Sequence, residues 1–337
     1  MIASWLIRPG CIETREIPIP TPSSGEVLVK VQAALTCGTD LKAYLRGHPL
    51  IPMPGVFGHE FSGIIAETGK GVRNFKPGDE VMAVHSAPCL ACGYCKKKLY
   101  HLCERIMHTK VLGAFAEYIL LPAPVVKQNL FLKPKSLGFT EAAFLEPLSC
   151  VVHGMKDLTI KPGDSILIIG TGPIALLHCA LAKAKGARVL MNGRNREKLD
   201  FAKKFGADAV APVQELVQAT DSFTGGMGFD YVVECTGQVE IWEHAPDYVR
   251  RGGTVVLFGG CKSGTTVTYD TGRLHYDEIT LKGTFHFTPQ DVKKAYLLLK
   301  DKLELSSLIS GNFPLHDLSA VMEKLARGEG IKYAIVP

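Results

Sequence analysis

From residue 165 onward, short unbroken apolar runs alternate with segments whose apolar residues recur at helical spacing. SILIIG, ARVLMN, FDYVVECTG, GTVVLFGG and ITLKGTFHF read as strands. PIALLHCALAKAKG, NREKLDFAKKFGA and EHAPDYVRR read as helices between several of them. Apolar strands separated by helices predict a parallel sheet covered on both faces. Residues 1–120 differ: β-type runs such as EVLVKVQAA and GDEVMAV are broken by Pro and Gly, which predicts a β-rich domain. The stretch from TPQDVKKAYLLLKDK is helical, and IKYAIVP at the end is strand-like and expected to return to the first domain. No internal repeat or low-complexity segment interrupts this plan.

Composition narrows the partners. A chain of 337 residues has room for about two domains at ~150 residues each. A net charge of +5 is modest, and the only basic run, Lys96-Lys97-Lys98, reads as a solvated loop rather than a nucleic-acid stripe. MIASWLIRPG lacks the basic flank and apolar core of a signal peptide. No uncharged apolar run reaches the ~18 residues of a membrane helix. Ten cysteines in such a chain point to thiols or metal ligands rather than disulfides. The expectation is a cytoplasmic protein with neither nucleic-acid nor membrane partners.

Two groups of residues have metal-ligand chemistry. In CLACGYCKKKLYHLC, Cys89, Cys92, Cys95 and Cys103 are separated by two, two and seven residues. Two-residue gaps let successive sulfurs face one point, and four thiolates close a tetrahedron around a structural zinc ion. The second group is dispersed through CGTD (37–40), GHE (58–60) and LEPL (145–148). Cys37, His59 and Glu60 offer a thiolate, an imidazole and a carboxylate, a mixture suited to catalytic zinc. Taken singly, each has a bland reading as a packed cysteine or a hydrogen-bonded histidine.

ILII followed by Gly170-Thr171-Gly172-Pro173-Ile174-Ala175 resembles the glycine turn of a dinucleotide fold. The first glycine permits the turn, the second admits the pyrophosphate, and the helix N-terminus faces the phosphates. The next strand in such a unit ends in an acid that holds the adenosine ribose. Here MNGRNR places Gly193 at that point, with Arg194 and Arg196 behind it. Loss of the acid removes repulsion toward a 2′-phosphate, and the guanidiniums match its geometry. NADP(H) is the expected cofactor, with NAD(H) the alternative if Asn192 or Asn195 bonds the ribose instead. Thr236-Gly237 and Gly259-Gly260 end later strands and are weaker candidates for cofactor contact.

The order CGTD, GHEFSG, PGDEV, the four spaced cysteines, GAFAEY, EPL and GTGPIALL closely resembles the zinc-containing medium-chain alcohol dehydrogenases, and most of all their sorbitol/polyol and threonine dehydrogenase branch. The resemblance covers nearly the whole chain. It implies an α/β protein with a GroES-like zinc domain (1–148, with 289–337) and a doubly wound Rossmann domain (149–288). Substrate would lie in the cleft between them. It further implies Cys37 and His59 as anchoring ligands of the catalytic zinc, Glu60 as a direct or swinging ligand, and Glu146 as a ligand directly or through water. Asp40 resembles the carboxylate that orients the imidazole, and Thr39 the hydroxyl that takes the alcohol proton. Lys42 stands where relatives often carry a histidine at the outer end of the proton relay. The substrate implied is a small alcohol, polyol or ketone, and the assembly a homodimer or homotetramer built through the dinucleotide domains, with ITLKGTFHF as the pairing edge. Three other readings stay open at this level: the same chemistry with NAD on a sorbitol- or threonine-type substrate, a zinc-independent quinone or enone reductase, and a non-enzymatic zinc-ribbon nucleic-acid or scaffold protein.

Overall fold

In the computed structural model, which describes residues 1–301 and 303–337, the apolar runs after residue 165 become parallel strands. Ser165–Ile169, Arg188–Gly193, Ala209–Pro212, Phe229–Glu234, Val249–Leu257 and Thr280–Gly283 form one six-stranded sheet. From the first strand the chain steps outward to Arg188–Gly193 and Ala209–Pro212. It then returns to the other side of the first strand with Phe229–Glu234, Val249–Leu257 and Thr280–Gly283. This reversal makes the sheet doubly wound, and ligands of such sheets bind beyond the carboxyl ends where the order reverses. Leu167, Ile169, Leu190, Phe229, Val232 and Val255 are buried along it.

Two segments differ from the expectation. EHAPDYVRR divides into the helix Val239–His244, the short turn Ala245–Tyr248 and the first residues of the strand Val249–Leu257. Pro246 has no N–H to continue a helical ladder, and Val249 pairs with Phe229 in the sheet. ITLKGTFHF is strand only over Thr280–Gly283. The short strand Ala209–Pro212 and the helix Leu216–Thr224 add to that plan, their apolar patterns in the sequence being weak.

The chain divides into two compact units, Met1–Ser149 with Phe287–Pro337, and Cys150–His286. In the first, a seven-stranded sheet runs in the order Ile309–Pro314, Lys332–Val336, Val27–Leu35, Glu60–Thr68, Glu80–Ala83 and Leu130–Leu132, with Tyr118–Leu121 also paired to Val27–Leu35. Antiparallel pairing puts Leu35 opposite both Glu60 and Ala334. Three strand ends therefore meet at one place, and that meeting point carries the site described below. Phe57, Phe61, Phe115 and Leu121 fill the core beneath it. Among the described residues no helix is long and apolar enough to cross a membrane.

Candidate active site and metal centres

Beyond Leu35, the chain turns at Cys37 into the helix Gly38–Arg46. Cys37 caps this helix, and its Sγ accepts from the Thr39 N–H at 3.5 Å. Asp40, Ala43 and Tyr44 lie on the buried face, which leaves Thr39 and Lys42 partly exposed. The antiparallel register sets His59 and Glu60 beside Cys37. The ligand atoms of Cys37, His59 and Glu60 all fall within 4.8 Å of one another. His59 Nδ1 is 3.4 Å from Asp40 Oδ1, so its Nε2 is the nitrogen left for the other two groups. Burial opposes a charge on His59, but Asp40 and the Cys37 sulfur outweigh it and hold the imidazole well above its usual range.

Glu60 is fully buried. Its Oε2 lies 2.5 Å from Lys332 Nζ, while Oε1 is buried with no hydrogen-bond partner among the described residues. Burial pushes the Glu60 carboxyl up to about 7 against the downward pull of Lys332, and the like charge of Glu146 adds to the rise. Lys332 also donates to the Thr36 carbonyl at 2.7 Å and sits 5.9 Å from the Phe144 ring centroid. Burial works against its charge, yet Glu60, Cys37 and Glu146 hold the ammonium above its usual range. A buried carboxylate oxygen without a partner, beside a sulfur and an imidazole nitrogen, is a donor set that a cation completes.

Glu146 opens the helix Leu145–Gly154 and stands outside the 4.8 Å trio. Its Oε1 is 3.2 Å from His85 Nδ1. The His85 ring meets the His59 ring edge-on at 5.2 Å. Burial holds His85 below its usual range, with Glu146 opposing. Sequence reasoning missed both Lys332 and His85. Neither has ligand-like spacing to its neighbours, and only the pairing of distant strands brings them here.

The second group is closer still. The sulfurs of Cys89, Cys92, Cys95 and Cys103 lie within 4.8 Å of one another, with Cys89–Cys95 and Cys92–Cys103 each at 3.9 Å. A tetrahedron of thiolates at the zinc–sulfur distance has an edge of roughly 3.8 Å. All four cysteines are free. Backbone N–H groups of Ala91 and Cys92 donate to Cys89 Sγ and bring its thiol down to about 6. Burial pushes Cys95 up to about 12. These groups fit a closed, four-thiolate zinc site.

In the second unit, Gly170 has φ of 121°, a value that only glycine adopts without strain, and Gly172 caps the helix Pro173–Ala184. Ile174 and Ala175 follow in its first turn. Gly193 ends its strand, and a Cβ there would stand 2.6 Å from Thr171 Cγ2. A side chain at 193 would therefore require Thr171 to move. The glycine supplies absence of charge more than open space, because Thr171 fills part of that volume. Arg194 and Arg196 are exposed at the start of the helix Arg196–Phe205, and Arg196 makes only a loose 3.5 Å pair with Asp200. Asn192 donates to the Ala211 carbonyl at 2.9 Å, and Asn195 caps the helix by accepting from Lys198 N–H at 3.0 Å. At the neighbouring strand end, Glu234 accepts from Thr236 N–H at 2.5 Å and from the Thr236 hydroxyl. A Cβ on Gly259 would stand 2.2 Å from Gly237 N, so these two loops touch backbone to backbone.

Comparison with known proteins agrees with this architecture. Residues 23–130 match the alcohol dehydrogenase GroES-like domain, and residues 173–301 match the zinc-binding dehydrogenase family. An L-threonine 3-dehydrogenase of Bacillus velezensis is 34% identical over 96% of this chain and 94% of its own length. A sorbitol dehydrogenase of Halalkalibacterium halodurans is 30% identical over 97% of this chain and 96% of its own. Among solved structures, a Sinorhizobium meliloti protein assigned as a zinc-binding dehydrogenase and bound to NADP superposes with a TM-score of 0.90 at 30% identity, covering 100% of this chain and 99% of that one. Alcohol dehydrogenase TADH from Thermus sp. ATN1 does so with a TM-score of 0.90 at 28% identity, over 100% and 99%. The chain belongs to the zinc-containing medium-chain alcohol dehydrogenase family. It is an α/β member, with a GroES-like β-rich domain and a doubly wound dinucleotide domain.

Proposed function

We propose that the protein interconverts a secondary alcohol or polyol and its ketone with NADP(H), using a zinc ion held by Cys37, His59 and Glu60. The observation that carries this reading is the trio itself, with ligand atoms within 4.8 Å and a buried Glu60 oxygen lacking a partner. When bound, zinc supplies Lewis acidity toward the substrate oxygen and the nicotinamide supplies the hydride acceptor. Asp40 fixes the His59 tautomer and leaves Nε2 for the metal. Lys332 holds one Glu60 oxygen so that the other can face the ion. Glu146, tied to His85, acts on the site from just outside the trio. Thr39, in the first helical turn beyond Cys37, offers the hydroxyl that takes the alcohol proton. Lys42 follows three residues later on the same face. Cys89, Cys92, Cys95 and Cys103 would hold a second, structural zinc. The edge strand Thr280–Gly283 would pair two copies in a homodimer or homotetramer, and the assembly would be cytoplasmic.

A pH dependence follows from the ligand set. Zinc needs Glu60 ionised, and its carboxyl takes a proton as pH falls through about 7. Zinc affinity of this site therefore drops as pH falls through that value, on top of the competition from the proton that Asp40 and Cys37 hold on His59, and the Glu60 share of the drop is the part that Glu60→Gln removes. Competition with a chromophoric chelator across this range measures the effect. A flat profile, or the same profile in Glu60→Gln, removes Glu60 from the ligand set.

Support for NADP(H) over NAD(H) comes from three features near Gly193. No acid stands there, two arginines are exposed beside it, and Asn192 and Asn195 are committed to other bonds. Arg194→Ala is expected to weaken NADP(H) binding by roughly 1.5–3 kcal/mol, the range for a charge-assisted hydrogen bond, and to leave NAD(H) binding nearly unchanged. Steady-state kcat/KM with each cofactor is the direct measurement. A clear preference for NAD⁺ defeats the assignment.

A further inference from the structure

Glu234 is a buried acid that the chemistry proposed above does not use. It ends the strand Phe229–Glu234 and pairs with Ile169 on one side and Leu257 on the other. It therefore stands at the carboxyl ends of three neighbouring parallel strands, where the order of the sheet reverses. Its exposure is 0%, and no ion pair answers its charge among the described residues. Donors from the following loop take the place of a cation. Oε1 accepts from the Thr236 N–H at 2.5 Å, from the Thr236 hydroxyl and from the Gly237 N–H at 3.1 Å, and Oε2 lies 3.2 Å from the same Gly237 nitrogen. Burial pushes the carboxyl above its usual range, and the Thr236 and Gly237 donors pull against it.

The main chain of the same residue holds a second loop. The Glu234 carbonyl accepts from the Phe258 N–H at 3.0 Å and from the Gly259 N–H at 2.9 Å. Trp242 Nε1 adds a bond to the Gly259 carbonyl at 2.7 Å. One residue thus fixes the loops after two adjacent strands, the first by its side chain and the second by its carbonyl. Those loops meet backbone to backbone. Gly237 has φ of 67°, and a Cβ there would stand 2.5 Å from the Gly260 carbonyl oxygen. The glycine turn closes on the same point, since a Cβ on Gly170 would meet Cys235 Cβ at 3.4 Å and Thr236 Cγ2 at 3.5 Å. A carboxylate suits this convergence of donors, because it accepts at both oxygens and carries no donor of its own. An amide would turn an NH2 toward one of the N–H groups.

We propose that Glu234 is a positioning residue of the dinucleotide site. Its carboxylate holds Thr236 and Gly237 against Gly259, Gly260 and the glycine turn in the arrangement that receives the cofactor, without touching the cofactor itself. The Thr236 hydroxyl then serves Glu234 as a donor rather than the cofactor. The inference rests on the dehydrogenase reading above and adds to it a determinant of cofactor affinity outside both the glycine turn and the Gly193 corner.

The test uses the zinc-loaded protein. It measures dissociation constants for NADPH and NADH by fluorescence, kcat and KM with a secondary alcohol, and Tm. Glu234→Gln is expected to weaken binding of the preferred cofactor by about 10- to 100-fold and to raise its KM in step, with kcat at saturation within about threefold. Thr236→Val removes one donor and keeps the side-chain shape, and it should weaken binding by about 10-fold, while Thr236→Ser recovers it. In the double variant Glu234→Gln/Thr236→Val the two losses should not add, because the hydroxyl acts through the carboxylate. Additive losses would mean that Thr236 meets the cofactor directly, and they overturn the proposal. So does a lowered Tm with unchanged affinity, which marks a purely structural acid. Should Glu234→Gln fail to fold, the Thr236 variants decide. Affinity lost in Thr236→Val and recovered in Thr236→Ser upholds the proposal, and affinity unchanged in Thr236→Val overturns it. Binding of neither cofactor by the unaltered protein sinks the dehydrogenase reading and this inference with it. Cofactor binding that every variant leaves unchanged sinks this inference alone.

Discussion

Replacing His59 with alanine is expected to lower kcat/KM by on the order of 10³-fold or more, because the Lewis acid proposed to rest on it would supply several kcal/mol of charge stabilisation and each ~1.4 kcal/mol is tenfold in rate. On the zinc assignments proposed above, zinc content falls at the same time by one ion per chain, since the four cysteines form a separate set. Cys37→Ala gives the same outcome for the same reason. The loss is local. His59 sits where two strands meet, and the sheet beneath is held by Phe57, Phe61 and Phe115, so the variant keeps its circular dichroism spectrum. Metal analysis of purified protein, combined with steady-state kinetics, checks both halves. Full turnover in either variant, or two zinc ions retained in both, ends the catalytic-zinc assignment.

The second large effect concerns stability. Lys332 and Glu60 are both nearly inaccessible, with side-chain exposures of 2% and 1%, and their charged atoms are 2.5 Å apart. Removing one partner of such a pair leaves a buried charge uncompensated, which costs about 3–5 kcal/mol. Lys332→Met therefore lowers the unfolding free energy of the zinc-free protein by about that amount. The methionine fills most of the aliphatic volume, so the loss is electrostatic rather than a cavity. Adding Glu60→Gln to Lys332→Met restores a large part of it, because the orphaned charge is gone. Zinc also softens the loss by offering Glu60 another positive partner. Urea denaturation of the two variants, with and without zinc, reads all three differences. Equal destabilisation in the zinc-free single and double variants would show that the pair does not act as a charge pair.

Much of the candidate site was legible from local spacing. The thiol cluster spans only 15 residues, from Cys89 to Cys103, so its geometry is set by short turns that the two-residue gaps already imply. The glycine turn at Gly170 and Gly172 is likewise a local instruction, because a positive φ and a capped helix are properties of consecutive residues. The missing acid at Gly193 was visible too. The Thr171 side chain packed beside it was not, since the two come together only when two parallel strands align. EHAPDYVRR misled because apolar periodicity does not reveal that Val249 has a strand partner waiting at Phe229.

The amino-acid order by itself determined the fold class and singled out the four-thiolate set and, through the order of its motifs, Cys37, His59 and Glu60 as candidate donors, because those signals reside in short recurring patterns. Only the tertiary structure decided that Lys332 sits against Thr36, 296 positions away, and closes on Glu60. It also decided that His85 takes Glu146. Such pairings come from the antiparallel meeting of distant strands, and the register between two strands is a property of the sheet that neither strand states alone.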